Sequence, residues 1–493
     1  MGIIQRQSFI ATLLSYTGII IGYVNVALLF PKFFEPEHLG LRSVLMEFSL
    51  IMAQISLLGF RGVITRYFPY FKNEAKKHNG FLFFVILVPL LGFILLSTIA
   101  LIFREQIFDI YVKTSPLIYE YYPLIFVISF FMLLSIIFEI YAAYFNIVVS
   151  NLIRDVFLRL SLSILILLFI LDIISINLFW YLFAATYAIA FLMLVVYVNS
   201  IGQLLIKLDL RKFKGKILKD IASFSAYGFF GSTAALLVFK IDTVMISYIM
   251  QDLAELGIYS LALYIASVIE VPKRALLQIS SPILSNAFKN DDHQLVKDLY
   301  HKSSLNQMIV GGYIFLVLWT GIDAIFSIIP NSHIYSAGKW PLLFVGLAKL
   351  FDMATGNNSE IINYSKYYRY HFYFTLTLVL LTIATNFIFI PIYGITGAAM
   401  ATALSVLVFN TCKYIFIVAK FRIQPFTVHT PKVLLLGIIA YFIAGILPET
   451  EHAVLNLFIT ATAITVIYLF PILYFKISPE LTDLVLKVLK RKA

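Results

Sequence analysis

The chain has 493 residues, 61% of them hydrophobic and 13% charged, with a mean hydropathy of +0.92. Soluble proteins run at roughly 45–50% apolar and 25% charged, so a soluble globular fold is excluded. The net charge of +11 fits attraction to an anionic membrane surface rather than to nucleic acid. Cys412 is the single cysteine, which excludes a disulfide framework or a thiolate metal site, and no HExxH, GxxxxGK or GxGxxG is present to carry enzyme chemistry.

In chain order, apolar runs long enough to cross about 30 Å of hydrocarbon predict an all-α polytopic membrane protein with fourteen transmembrane helices. They fall at 8–30, 43–64, 81–103, 121–145, 157–171, 177–200, 221–249, 257–284, 306–328, 340–363, 371–391, 396–419, 432–447 and 454–475. The first is retained in the mature chain, because its apolar core is too long for a signal peptide and no small-residue cleavage site follows Phe30-Pro31-Lys32. An even count puts both termini on one side. Connections on that side hold 27 lysines and arginines against 5 on the other, the asymmetry of cytoplasmic loops, so both termini are expected in the cytoplasm. No connection is long enough for a soluble catalytic domain. After Phe475, Ser478-Pro479-Glu480 opens an amphipathic tail with Leu481, Leu484, Val485, Val488 and Leu489 at helical spacing, read as an interfacial foot.

A repeat runs through this order. Leu39-Gly40-Leu41-Arg42-Ser43 returns 217 residues later as Leu256-Gly257-Ile258-Tyr259-Ser260, and the same shift carries the span 121–145 onto 338–362 and the loop 201–220 onto 418–437. Two parallel-repeat six-helix lobes follow, plus two extra C-terminal helices. The expected organisation is a first lobe at 1–206, a basic inter-lobe loop at 207–220, a second lobe at 221–419, helices 13 and 14 at 432–475 and a cytoplasmic tail at 476–493.

Eleven charges fall inside the spans away from their ends: Glu47, Glu139, Lys240, Asp242, Glu270, Lys273, Arg274, Asp323, Lys349, Asp352 and Lys413. Each costs roughly 2.5–3.5 kcal/mol at a helix centre, so they must face protein or water. Glu270 with Lys273 and Arg274, and Lys349 with Asp352, stand at pairing distance along one helix. Lys240 and Asp242 point in different directions, so Lys240 needs a partner on another helix or a ligand. Glu139, Asp323 and Lys413 sit nearer helix ends, where snorkelling is open to them. All five deep cations belong to the second half, while Arg42 stands near the mouth of helix 2. Arg42, Lys240, Lys273, Arg274 and Lys349 are the candidate groups for an anionic substrate, Arg274 foremost because guanidinium grips phosphate bidentately. Aromatic clusters such as Tyr119, Tyr121, Tyr122 and Tyr364, Tyr367, Tyr368, Tyr370 read as interfacial belts.

Leu39-Gly40-Leu41, Leu256-Gly257-Ile258-Tyr259-Ser260 preceded by Asp242, Pro272 and Pro282 in helix 8, and Ile390-Pro391-x-Tyr393-Gly394-x-x-Gly397-Ala398-Ala399-x-Ala401-Thr402 at the turn into helix 12 form an ordered set. In this the chain resembles the polysaccharide (Wzx-type) flippases of the MOP exporter superfamily over nearly its whole length. The resemblance implies a multi-pass protein of the bacterial inner membrane. It would carry an undecaprenyl-diphosphate-linked oligosaccharide from the cytoplasmic to the periplasmic leaflet by alternating access, for polysaccharide or lipopolysaccharide biosynthesis. It further implies a central cavity bounded by helices 1, 2, 7 and 8, a polyprenyl groove supplied by helices 13 and 14, and other polysaccharide-assembly membrane proteins as partners. Related flippases place a cation site between helices 7, 11 and 12, which here gives Asp242, Asn386 and Thr402 for Na⁺. Ile390 stands where some relatives have a second carboxylate, leaving proton or potential coupling as alternatives. No catalytic residue and no other cofactor is expected. Two competing readings are a polytopic glycosyltransferase using Glu35 and Glu37, and a MATE-like cation-coupled drug exporter; the latter commonly uses an acidic residue in helix 1, and residues 8–30 contain none.

Overall fold

Long uninterrupted apolar stretches leave the backbone no choice in hydrocarbon but to bond to itself, and helices are the result. The computed structural model describes residues 3–106, 116–208, 213–448 and 450–483, and every regular element among them is helical. Eight of these helices are long and apolar enough to cross a membrane, and a ninth is added if His293–Thr320 and Ile322–Ile328, bent by 65°, form one span. The chain is thus a multi-pass membrane protein. Several of the expected spans are interrupted. The run 43–64 is divided where Pro36–Ser56 gives way to Phe60–Phe71, with Leu58 and Gly59 both at positive φ. The run 157–171 is entered through a π-helical stretch, Leu152–Phe157. The run 340–363 breaks between Lys339–Ala354 and Asn358–Tyr364. Spans 371–391 and 396–419 lie within one 54-residue helix, Tyr368–Phe421, interrupted only at Gly394, whose φ of 56° and ψ of −137° no side-chain-bearing residue adopts readily.

Of the tail, residues 479–483 are helical; Leu484 onward lies outside the described residues, as do Arg211 and Lys212 of the basic loop. The chain divides into two compact units, Met1–Ser260 and Leu261–Ala493.

In the first unit, Pro36 at the helix start, with its fixed φ and Glu37 in the first turn, launches Pro36–Ser56. Its fifth residue, Gly40, meets the start of Leu253–Ala266 so closely that a Cβ would lie 1.9 Å from the Leu253 carbonyl oxygen. A Cβ on Gly257 would in turn lie 2.2 Å from the Pro36 carbonyl oxygen. Residues 36 and 253, like 40 and 257, are related by the 217-residue shift. The contact is reciprocal, and it explains physically why Leu-Gly is kept in both copies. Ala53, Leu57, Phe60, Val63, Phe68, Phe81, Val85, Leu133, Ile137 and Tyr141 form the apolar core of this unit.

In the second unit, Met308, Ile309, Leu316, Val433, Ala440, Ile464, Tyr468 and Ile472 join His293–Thr320 to the two C-terminal helical segments. Tyr468 anchors the seam by donating its hydroxyl to the Ile309 carbonyl at 3.2 Å.

Candidate functional site

Lys240 reaches Pro36–Ser56. Its Nζ donates to Glu47 Oε1 at 2.7 Å, with both side chains largely withdrawn from solvent. Arg42 and Glu47 both act electrostatically on the buried Tyr187, whose hydroxyl lies 2.6 Å from Met46 Sδ. Arg42, Glu47 and Lys240 therefore belong to one polar neighbourhood in the first unit. Asp242 is buried and accepts a hydrogen bond from the Tyr259 hydroxyl at 2.7 Å. The residue equivalent to Asp242 in the first copy, 217 positions earlier, is Asn25. Asn25 is buried as well, donating to the Arg159 carbonyl at 2.8 Å and accepting from Ser163 Oγ at 2.7 Å.

The second unit gathers Lys273, Arg274 and Lys349 around two carboxylates. Glu270 accepts from Arg274 one turn along its own helix and from Lys349 across to the neighbouring helix, the latter at 2.8 Å. Lys273 crosses the same gap in the other direction to Asp352. The local pair expected between Lys349 and Asp352 is therefore exchanged for two inter-helix pairs. Sharing Glu270 between two cations leaves Arg274 the outermost member, with 65% of its side chain accessible.

Lys413 sits behind this lattice. Instead of snorkelling it is fully buried, with Nζ donating to Asn358 Oδ1 at 3.0 Å and Ser359 Oγ at 2.9 Å and lying 3.8 Å from the centre of the Phe409 ring. Asn358 also donates to Asn410 Oδ1 at 3.0 Å; Asn410 in turn bonds Asp352, and Lys413 stands within electrostatic reach of the same carboxylate. Lys273 and Lys413 both act on Glu360. With Glu360 and Lys413 included, four basic side chains face three carboxyl groups. The amides and hydroxyls cluster where Lys339–Ala354 ends: Gln307 Nε2 donates to Asn357 Oδ1 at 2.9 Å, and Ser304 Oγ to the Ala354 carbonyl at 2.6 Å. Sequence reasoning passed over this network. The signal was the polar run Thr355-Gly356-Asn357-Asn358-Ser359-Glu360 inside an apolar span. The two other charges expected near helix ends also find partners, Glu139 with Arg154 at 3.8 Å and Asp323 with Lys339.

Asn386 and Thr402 flank the place where the two arms of Tyr368–Phe421 cross. There Thr385 Oγ1 lies 3.2 Å from Ser405 Oγ, and a Cβ on Gly397 would stand 2.0 Å from the Phe389 carbonyl oxygen. Asp242 lies in the first unit and these two residues in the second.

On its far side the helix Lys339–Ala354 borders an apolar groove of about 660 Å³, lined among others by Leu347, Leu350, Phe351, Leu434, Gly437 and Phe442. At about 100° per residue, Lys349 and Asp352 point to one side of this helix, and Leu343, Leu347, Leu350 and Ala354 to the other. One helix is therefore the partition between an ionic lattice and a hydrocarbon-lined groove.

These features define a helical multi-pass membrane protein, and its fold is shared with solved transporter and flippase structures. The chain is similar to the lipid II flippase MurJ in an inward closed conformation, with a TM-score of 0.71 and 14% identity over 93% of this chain and 98% of that one. It is similar also to an inward-facing multidrug resistance MATE family transporter of the MOP superfamily, with a TM-score of 0.63 and 14% identity over 83% and 94% of the two chains. A variant of the Vibrio cholerae MATE transporter VcmN superposes with a TM-score of 0.54 and 12% identity over 85% and 97%. No protein-family model and no curated protein matches the sequence.

Proposed function

We propose that the protein is a flippase that moves an undecaprenyl-diphosphate-linked oligosaccharide from the cytoplasmic to the periplasmic leaflet of a bacterial inner membrane, serving polysaccharide or lipopolysaccharide assembly. The observation that carries this reading is the two-sided helix Lys339–Ala354. A polyprenyl diphosphate is a multiply charged anion joined to a long hydrocarbon chain, and this helix offers cations on one side and an apolar groove on the other. Charge-assisted bonds from Lys273, Arg274 and Lys349 hold the diphosphate as it passes the second unit, and Arg42 and Lys240 are the cations the first unit offers to it; the groove beside the C-terminal helices holds the tail. The same reading takes fourteen crossings, both termini in the cytoplasm, and two six-helix lobes that open alternately. A cation or a proton drives the cycle, and other polysaccharide-assembly membrane proteins supply and receive the substrate.

A MATE-like exporter is the second reading, favoured by the similarity to the inward-facing MATE transporter. Against it stand the acid-free first span, with Asn25 at the place equivalent to Asp242, and the segment after Phe421. That segment is close in length to the share of this chain left uncovered by the MATE structure.

The test is translocation of a fluorescent polyprenyl-diphosphate oligosaccharide in proteoliposomes. Wild-type protein should move it, Lys240→Ala and Arg274→Ala should not, and Gly437→Leu, which fills the groove, should slow it while leaving the protein folded. Ion-driven export of a cationic drug without movement of the lipid-linked sugar would favour the exporter instead.

A further inference from the structure

A second cationic pocket lies away from the ionic lattice. It encloses about 900 Å³ and is lined by Lys297, His301, Val418, Arg422, Ile423, Gln424, Phe426, Thr427 and Val428. Lys297 and His301 stand one turn apart on His293–Thr320, and Arg422 is held at the end of Tyr368–Phe421 in the left-handed conformation, φ 57°. No carboxylate is among the lining residues. The rest of the wall is divided between donors, Gln424 and Thr427, and apolar groups. Val428 is 78% exposed, which leaves the apolar part of the wall open to an acyl chain.

The depth of the pocket is marked by aromatic side chains. Tyr367 packs against Phe416 and Phe421 with ring centres 5.6 Å apart in each case, and Lys420 reaches over the same ring. Tyrosines with lysines at helix ends occupy the headgroup level of a bilayer. A pocket at that level, cationic on one wall and apolar on the other, matches the glycerol phosphate of a membrane lipid and the start of its acyl chains.

We propose that this pocket binds the phosphodiester headgroup of an anionic phospholipid, with Lys297 and Arg422 on the phosphate and Ile423, Phe426 and Val428 against the acyl chain. The site is independent of the substrate path. It ties the end of the long helix to the bilayer and makes the second unit's stability depend on lipid charge.

The test uses the delipidated full-length protein, titrated with phosphatidylglycerol, phosphatidylcholine or inorganic phosphate and followed by native mass spectrometry and thermal unfolding. Phosphatidylglycerol should be retained and raise the melting temperature; phosphatidylcholine and inorganic phosphate should do neither. The double variant Lys297→Gln/Arg422→Asn, in which asparagine tolerates the left-handed backbone, should bind phosphatidylglycerol about thirtyfold more weakly. Lys289→Gln, outside the pocket, should bind as wild type, and all variants should melt alike in phosphatidylcholine. Equal retention of the two lipids, unchanged binding by the double variant, or stabilisation by inorganic phosphate alone would overturn the assignment.

Discussion

The two copies of the repeat build the same helix pair from different materials. In the second copy Glu270, Lys273, Arg274, Lys349 and Asp352 join it through ions. The equivalent positions in the first copy, 217 residues earlier, are Ala53, Ser56, Leu57, Met132 and Ser135. Ala53 and Leu57 are fully buried there, and Met132 packs against the same core. The first copy shows that this helix contact closes without a single charge. Buried ion pairs seldom stabilise more than well-packed apolar groups of similar volume, so stability alone does not account for the lattice, and the proposed function gives it a binding role.

The largest effect should come from Glu270→Ala, which strips the shared counterion from both Arg274 and Lys349. Leaving buried charge uncompensated should cost about 3–5 kcal/mol, read as a fall in melting temperature in detergent. The comparison sharpens when the second copy is rewritten as the first, with Glu270→Ala, Lys273→Ser, Lys349→Met and Asp352→Ser together. That protein should be more stable than the single Glu270→Ala variant yet inactive in translocation. A quadruple variant that still transports would break the argument that the lattice serves binding. Lys240→Met removes one charge-assisted bond to Glu47 and should cost about 2 kcal/mol; adding Glu47→Leu should recover much of the loss in a double-mutant cycle. Arg274→Ala should cost under about 1 kcal/mol, because the side chain is mostly accessible and solvent screens its pairing, while translocation falls sharply.

The smallest effect concerns the tail. Lys302 pairs with Glu480 at 2.8 Å. Burial pushes the Glu480 carboxyl up, but hydrogen bonds from Lys302, its own backbone and Ser478 outweigh this and hold it below the usual range. A lowered folded-state value means that the pair stabilises the fold above the ordinary carboxyl pKa, and that this is lost as pH falls through the folded value. Both side chains are half exposed, so the contribution is on the order of a few tenths of a kcal/mol. Glu480→Gln should abolish that small acid-dependent step in unfolding curves.

Much of the fold was legible because its causes are local. Apolar runs give helices, and Gly394 marks the reversal between two arms, whereas the helix that begins at Pro36 was expected only from residue 43. The reason for Gly40 and Gly257 was not local, although the repeat itself pointed to them. For the site, the sequence located the charges but not their partners. Spacing along one helix permits Lys349 to meet Asp352, whereas which carboxylate wins depends on the approach of a second helix, and that is set by packing. The break after Ala354 was missed for a related reason. Hydropathy averages over a window, so five polar residues inside an apolar run are diluted by their neighbours, although Gly356 stands at φ 64° and side chains from the neighbouring helix take up backbone groups that the break frees, Ser304 the Ala354 carbonyl and Ser303 the Asn357 amide.

The meeting of Gly40 with Gly257 has the form of a self-complementary patch, the kind by which two identical molecules pair about a twofold axis. Joined in one polypeptide, the two sides are no longer forced to change together. Alanine at either position drives a methyl group into the opposing carbonyl, so a lone mutation on one side is not relieved by keeping glycine on the other. The two copies diverge elsewhere, as the contrast between an apolar and an ionic helix pair shows, but this contact admits glycine alone on both sides.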